Sequence, residues 1–275
     1  MENLAELQER ARHIRKNIVR MVTAAKSGHP GGSLSAVQIV TTLYFTQMHV
    51  DEHNVNETKR DKFVLSKGHA SPVLYAVLAE KGFIKEEDLL SFRQLGSNLQ
   101  GHPSMHMVSG VDMSTGSLGQ GISAAVGMAI ANQVHHDPYR VYALLGDGEC
   151  EEGQVWEAAM AAAHYRLDNL LAFVDFNGLQ IDGDIRTVMN PTPLDEKFEA
   201  FGWHVIVLED GNDFEQVYAA CEEAKTIQGK PTVVIAKTIK GKGVSFMENK
   251  ANWHGVAPSE EECAMALTEL EGGKA

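Results

Sequence analysis

Apolar positions along the chain follow two patterns: short unbroken runs, and stripes that recur every three or four residues. Val141 to Leu145 and Leu170 to Phe176 are runs of the first kind, β-branched or aromatic in part and bounded by turn residues, as buried parallel strands are. Between them Glu152 to Tyr165 predicts a helix, with Trp156, Ala159, Met160 and Ala163 on one face. A strand, a helix and a strand within about 35 residues make a right-handed crossover unit. Lys62 to Ser66, Trp203 to Leu208 and Thr232 to Lys237 predict three more strands, the last two separated by a helix from about Asp213 to Gln228. Leu4, Leu7, Ala11, Ile14, Ile18 and Met21 mark an amphipathic first helix. Further helices are expected from about Ser33 to Met48, Pro72 to Lys81 and Gly121 to Val134. Ser259 and Glu262 form a capping box for a last one to about Leu270. The expected class is α/β, with a mainly parallel sheet of at least five strands and helices on both faces.

In this pattern Asp147, within Gly146-Asp147-Gly148, and Asn177 sit just past the carboxyl ends of neighbouring strands, the edge of an open parallel sheet where ligands bind. A carboxylate, an amide oxygen and a backbone carbonyl are hard donors that leave room for two phosphate oxygens and a water, a set that suits Mg²⁺ better than zinc. Gly-Asp-Gly or Asn-Gly alone is an ordinary turn. Their joint placement about thirty residues apart, each ending a strand, is far more specific.

His29, His69, His102 and His254 each adjoin a glycine on a predicted loop. Taken singly, each is most simply a surface or core imidazole. Together on one edge, neutral imidazoles could hold sugar hydroxyls and move protons near pH 7. Asp182 to Pro193 predicts a loop over the same edge. Thr238 to Pro258, with Lys240, Lys242, Lys250 and His254 among glycines, predicts a mobile lid that closes over phosphate. Thr115 to Gly121 is no dinucleotide fingerprint, because no strand immediately precedes Gly116 and no acidic residue stands at the required distance. The small residues after it point to close helix packing, in a tight core or a subunit interface.

Composition narrows the classes. At 44% hydrophobic residues, 275 residues suffice for one domain, expected over 1–275 with an N-terminal helical arm and a C-terminal lid and helix. No apolar run approaches 18 residues and the first residues are not signal-like, so a cytoplasmic protein that spans no membrane is expected. A formal charge of −13 disfavours nucleic acid and acidic membranes, while leaving room for a local basic cleft. Cys150, Cys221 and Cys263 are odd in number and widely spaced, as reduced thiols are. His102 with His106, or His135-His136-Asp137, lacks a complete zinc ligand set. Glu152 and Glu157 could pair as a glycosidase does, but that would leave the glycine loops and Asn177 unexplained.

The motifs Ser27-Gly28-His29-Pro30-Gly31-Gly32, Ser66-Lys67-Gly68-His69-Ala70, Gly101-His102-Pro103, Thr115-Gly116-Ser117-Leu118-Gly119-Gln120-Gly121, Gly146-Asp147-Gly148-Glu149, Trp156-Glu157-Ala158, Asn177 to Gly183 and Trp253-His254-Gly255 together resemble the N-terminal, diphosphate-binding half of transketolase. The resemblance covers nearly the whole chain. It implies a thiamine-diphosphate-binding fold and transfer of a two-carbon ketol unit between sugar phosphates. It assigns Mg²⁺, with Ca²⁺ or Mn²⁺ able to substitute, to Asp147, Asn177 and the carbonyl of Leu179. Gly148, His69, Asn177 and His254 would bind the cofactor's diphosphate end, and Gly116 and Leu118 its rings. His29, His102 and His254 would face the donor sugar, and Glu152 and Glu157 could relay a proton at a subunit contact. Full-length relatives continue into a pyrimidine-binding and a C-terminal domain that supply the activating glutamate. This chain therefore reads as one subunit of a split enzyme, α2β2 with a separate C-terminal subunit. Half of a deoxyxylulose-phosphate synthase, the α chain of a 2-oxoacid dehydrogenase and a non-catalytic scaffold are the alternatives.

Overall fold

Each predicted apolar run becomes a strand of one sheet in the computed structural model, which describes residues 3–272. The first elements are α1 (Leu4–Ala25), α2 (Pro30–Ser35), α3 (Val37–Thr42), β1 (Lys62–Leu65), α4 (Ser71–Glu80), α5 (Gln120–His135) and β2 (Val141–Gly146). Then come α6 (Gly153–His164), β3 (Leu170–Phe176), the hairpin β4 (Leu179–Gln180) and β5 (Gly183–Asp184), α7 (Ile185–Val188) and α8 (Leu194–Ala200). β6 (His204–Leu208), α9 (Phe214–Thr226), β7 (Thr232–Lys237) and α10 (Glu260–Glu271) complete the order. Among the described residues the main sheet runs β1-β2-β3-β7-β6, parallel throughout.

Side chains alternate across the sheet and divide the core. Tyr142, Leu144, Leu171, Phe173, Val234 and Ala236 pack beneath α1, α3, α4, α9 and α10. Val141, Ala143, Leu145, Leu170, Ala172, Val174, Val233 and Ile235 pack against α5, α6 and α8. The central strands are covered on both faces, which is why they read as continuous apolar runs. The α1 stripe is buried as expected from Leu7 to Met21, Asn3 caps it through the Glu6 amide, and the Ser259–Glu262 capping box opens α10.

Four expectations change. The helix placed at Ser33–Met48 begins at Pro30 instead, breaks at Ala36 and closes in a π turn at Leu43–Gln47. Proline suits a first helical position, having no amide hydrogen to orphan. Gly31 is needed there, because a Cβ would lie 2.8 Å from the Trp253 carbonyl oxygen. On α6 the buried face is Val155, Ala158, Ala159 and Ala162, while Met160 is exposed. With alanine at five of its twelve positions, α6 offers little contrast to fix the phase of its apolar face. Within 182–193, read as loop, lie β5 and the single turn α7, whose first turn Asp184 caps through the Arg186 amide. The predicted lid is a packed strap: Val244 and Met247 are fully buried and the Lys240 side chain points inward.

Candidate cofactor and metal site

Parallel topology carries the ends of β1, β2, β3 and β7 to one edge, and the loops leaving them line a cavity of about 230 Å³. Its walls include His29, His69, Asp147, Asn177, Lys240 and His254, and Gly116, Leu118, Gly148 and Leu179 also reach it. A cleft of about 450 Å³ between α1 and the start of α9 has no comparable convergence, and its buried Arg15 is spent on the Gln38 side chain and the Lys242 carbonyl.

Asp147 follows β2 and is 3% exposed. Its Oδ1 accepts from the Gly148 amide at 2.8 Å and its Oδ2 from the Gly178 amide at 2.6 Å, which fixes the carboxylate against the start of the 177–180 loop. Burial, and next the Asp175 carboxylate, push its pKa up to about 6. Asn177 Oδ1 accepts from the Leu179 amide at 3.2 Å. The Leu179 carbonyl accepts from Lys240 Nζ at 2.9 Å, so the third expected oxygen already faces a positive charge. Among the described residues no three His, Cys, Asp or Glu side chains gather as a metal centre. The donors are one carboxylate, one amide and one carbonyl, which suit a hard cation that completes its shell with phosphate and water. The residues present fit Mg²⁺ on that chemistry.

The imidazoles of His29, His69 and His254 form a triangle with ring centroids 5.2–5.3 Å apart. Burial comes first in lowering each: His29 to about 4, His254 to about 3, His69 well below its ordinary value. Positive neighbours add to it, Arg93 at His29, Lys240 at His254 and Lys67 at His69. All three are neutral at pH 7. Lys240 Nζ lies 2.9 Å from His254 Nδ1, and an ammonium can only donate, so the His254 proton is on Nε2. His29 Nδ1 is buried without a partner, an atom placed for a ligand. His102 is exposed at the rim, and Gly116, at φ 152°, leaves room for its ring, which a Cβ would meet at 3.0 Å.

The sequence reading missed several residues here. Lys240, expected on a lid, is 1% exposed inside the cavity wall, its pKa lowered to about 8 by burial. Glu149 is a buried brace: it accepts from the Ser66 hydroxyl at 2.5 Å and from the Gly119 and Gly146 amides at 2.9 and 3.0 Å, holding the loop of Leu118 against β2. Lys67 reaches the cavity wall while paired with buried Asp175 at 2.5 Å. Arg93 lies near His29 and His102, and among the described residues its guanidinium is bonded only to the Ser27 hydroxyl at 3.4 Å and its buried Nε has no partner. Lone charges on loops carry no sequence sign of which way they turn. Glu152 and Glu157 are exposed and lie outside the cavity.

A family model described as transketolase, thiamine diphosphate binding domain, matches residues 7–272. The chain is 47% identical over 270 residues to the 6-deoxy-6-sulfo-D-fructose transketolase subunit SqwG of Clostridium sp. (strain MSTE9), covering 98% of both. It is 43% identical over 256 residues to an apulose-4-phosphate transketolase subunit of Phocaeicola vulgatus, covering 93% of this chain and 90% of that protein. The crystal structure of transketolase from Campylobacter jejuni superposes with a TM-score of 0.92 at 36% identity, covering 98% of this chain but only 43% of that one.

Proposed function

The chain belongs to the transketolase family, as its thiamine diphosphate binding domain, and we propose that it is the N-terminal subunit of a split transketolase that acts with a separate C-terminal subunit. The observation that carries this reading is the convergence of Asp147, Asn177 and the Leu179 carbonyl with three neutral histidines in one cavity. Relatives of the same length are themselves named subunits. We infer an α2β2 assembly in the cytoplasm, residues 1–275 forming one diphosphate-binding unit, with Glu152 and Glu157 relaying a proton at a subunit contact.

In this reading Asp147, Asn177 and Leu179 hold Mg²⁺, and Gly148, His69, Asn177, Lys240 and His254 hold the diphosphate. Gly116 and Leu118 pack against the cofactor's rings. Bound thiamine diphosphate supplies an electron sink for breaking and forming a carbon–carbon bond. His29, His102 and His254 orient the sugar. A neutral imidazole can accept a hydroxyl proton and return it, which a protonated one cannot.

The substrate is a ketose and an aldose bearing a terminal anion. Arg93 supports this, since no carboxylate pairs with it among the described residues while it faces the histidine rim. A hydrogen bond to a charged group is worth about 1.5–3 kcal/mol, so Arg93→Met should raise KM for an anionic sugar roughly 10- to 100-fold. The KM of an uncharged ketose should stay within about twofold, and an equal rise for both would remove Arg93 from anion recognition.

The decisive experiment is ketol transfer from xylulose 5-phosphate to ribose 5-phosphate with thiamine diphosphate and Mg²⁺. The purified chain should be inactive alone and active with the subunit that co-purifies from its source. Full activity from the chain alone would place an activating carboxylate within these residues and sink the split enzyme.

A further inference from the structure

Asp175 does not line the cavity, yet it is bonded to Asn177 and to the segments that supply His29, His69 and Lys240. On β3 it takes the place after Leu171 and Phe173 on the same face, where an apolar residue would be expected, and it is fully buried. Its Oδ2 accepts from Ser35 Oγ at 2.6 Å, Lys67 Nζ at 2.5 Å and Asn177 Nδ2 at 3.2 Å, and its Oδ1 accepts from the Thr238 hydroxyl. Ser35 closes the helix that His29 opens, Lys67 stands two residues before His69, and Thr238 two before Lys240.

We propose that Asp175 is a positioning residue that decides which end of the Asn177 amide meets the cation, with Lys67 as its counter-ion. The inference rests on the Mg²⁺ reading above. The two ends of a carboxamide are nearly the same size, so packing alone does not choose between them. Chemistry does. A carboxylate can only accept, so it draws the Asn177 NH2 back toward β3, and the Leu179 amide can only donate, so it draws Oδ1 forward. A flipped amide would set its NH2 against both the metal and the Leu179 N–H, and its oxygen against the Asp175 carboxylate. With a single carboxylate in the donor set, one misdirected oxygen matters. Lys67 Nζ, 2.5 Å from Asp175 Oδ2 and also bonded to the Gly32 carbonyl, supplies the counter-charge to this buried carboxylate without touching Asn177.

The test separates the acceptor from the charge. K67M/D175N and K67M/D175L both remove the buried pair together, so neither leaves a lone charge inside. Asparagine keeps an oxygen for Asn177 and leucine does not. In the assembly with the partner subunit, half-saturating Mg²⁺ for thiamine diphosphate binding, read by titration calorimetry, should be about 10- to 100-fold higher for K67M/D175L than for K67M/D175N. Urea midpoints of the metal-free chains report folding, and K67M/D175A replaces the leucine variant should that one not fold. Equal Mg²⁺ requirements in folded variants overturn the positioning role. Mg²⁺-independent binding in the wild type overturns the metal reading itself, and the two failures are told apart by measuring the wild type first.

Discussion

Asp147→Ala is expected to lower turnover of the assembled enzyme on the order of 10³-fold at fixed Mg²⁺, since a bound metal is worth several kcal/mol and each 1.36 kcal/mol is a factor of ten. No neighbouring carboxylate can replace it. Glu149 is turned into the Ser66 hydroxyl and two amides, Glu151 accepts from Gln180, and Asp175 is occupied by Lys67, Ser35, Thr238 and Asn177. The variant also strands the Gly148 and Gly178 amides that Asp147 now accepts from, so the 177–180 loop loses its tie to β2. The check is the thermal midpoint with and without thiamine diphosphate and Mg²⁺. Ligand at about 100 times its Kd stabilises a folded protein by about 2.7 kcal/mol, and that gain should vanish in Asp147→Ala. A variant that keeps the Mg²⁺-dependent rise would remove Asp147 from the metal site.

Asp147 was legible in the sequence because its signal is local: a glycine on each side, at the end of a buried apolar run. The five strands were legible for a similar reason, as strands covered on both faces leave unbroken apolar stretches that need no partner to be recognised. What escaped was whatever depends on a distant partner. Asp175 lies inside the run read as a strand, and nothing local says that Lys67, 108 residues away in sequence, neutralises it. Lys240 looked like a lid lysine because its side chain turns inward to the Leu179 carbonyl, His254 and Gly31, contacts supplied by other loops and therefore a tertiary event. Glu149 was visible only as part of the Gly146-Asp147-Gly148-Glu149 motif, and nothing local says that Ser66 and Gly119 close on it. The α6 face was misphased because alanine contributes to either side of a helix almost equally. Local chemistry thus announced the first contacts of the site, and the charges that hold those contacts in place stayed hidden.

Those charges predict how the ligand-free chain responds to acid. His29, His69 and His254 have pKa values lowered in the folded state, so their contribution is fully present above the unfolded value near 6.5 and is lost as pH falls through it. Asp147 acts oppositely. Its pKa, raised to about 6, lets the folded chain take up a proton early, which regains stability between about pH 6 and 4. Three histidines against one carboxylate leave a net uptake of about two protons on unfolding near pH 5.5, or about 2.7 kcal/mol lost per pH unit. From pH 6.5 to 5 the net loss is about 4 kcal/mol, most of the whole stability of a domain at the low end of the usual range. Urea unfolding of the ligand-free chain between pH 7 and 5 should therefore show a steep fall. In His29→Asn/His254→Asn one histidine remains against Asp147, and the slope should shrink to about zero. A double variant as acid-sensitive as the parent would mean that the histidine triangle is not the acid-labile part of the fold. Thiamine diphosphate with Mg²⁺ should flatten the parent's curve as well, because a bound diphosphate gives the triangle an anionic partner and moves its pKa values back toward their unfolded ones.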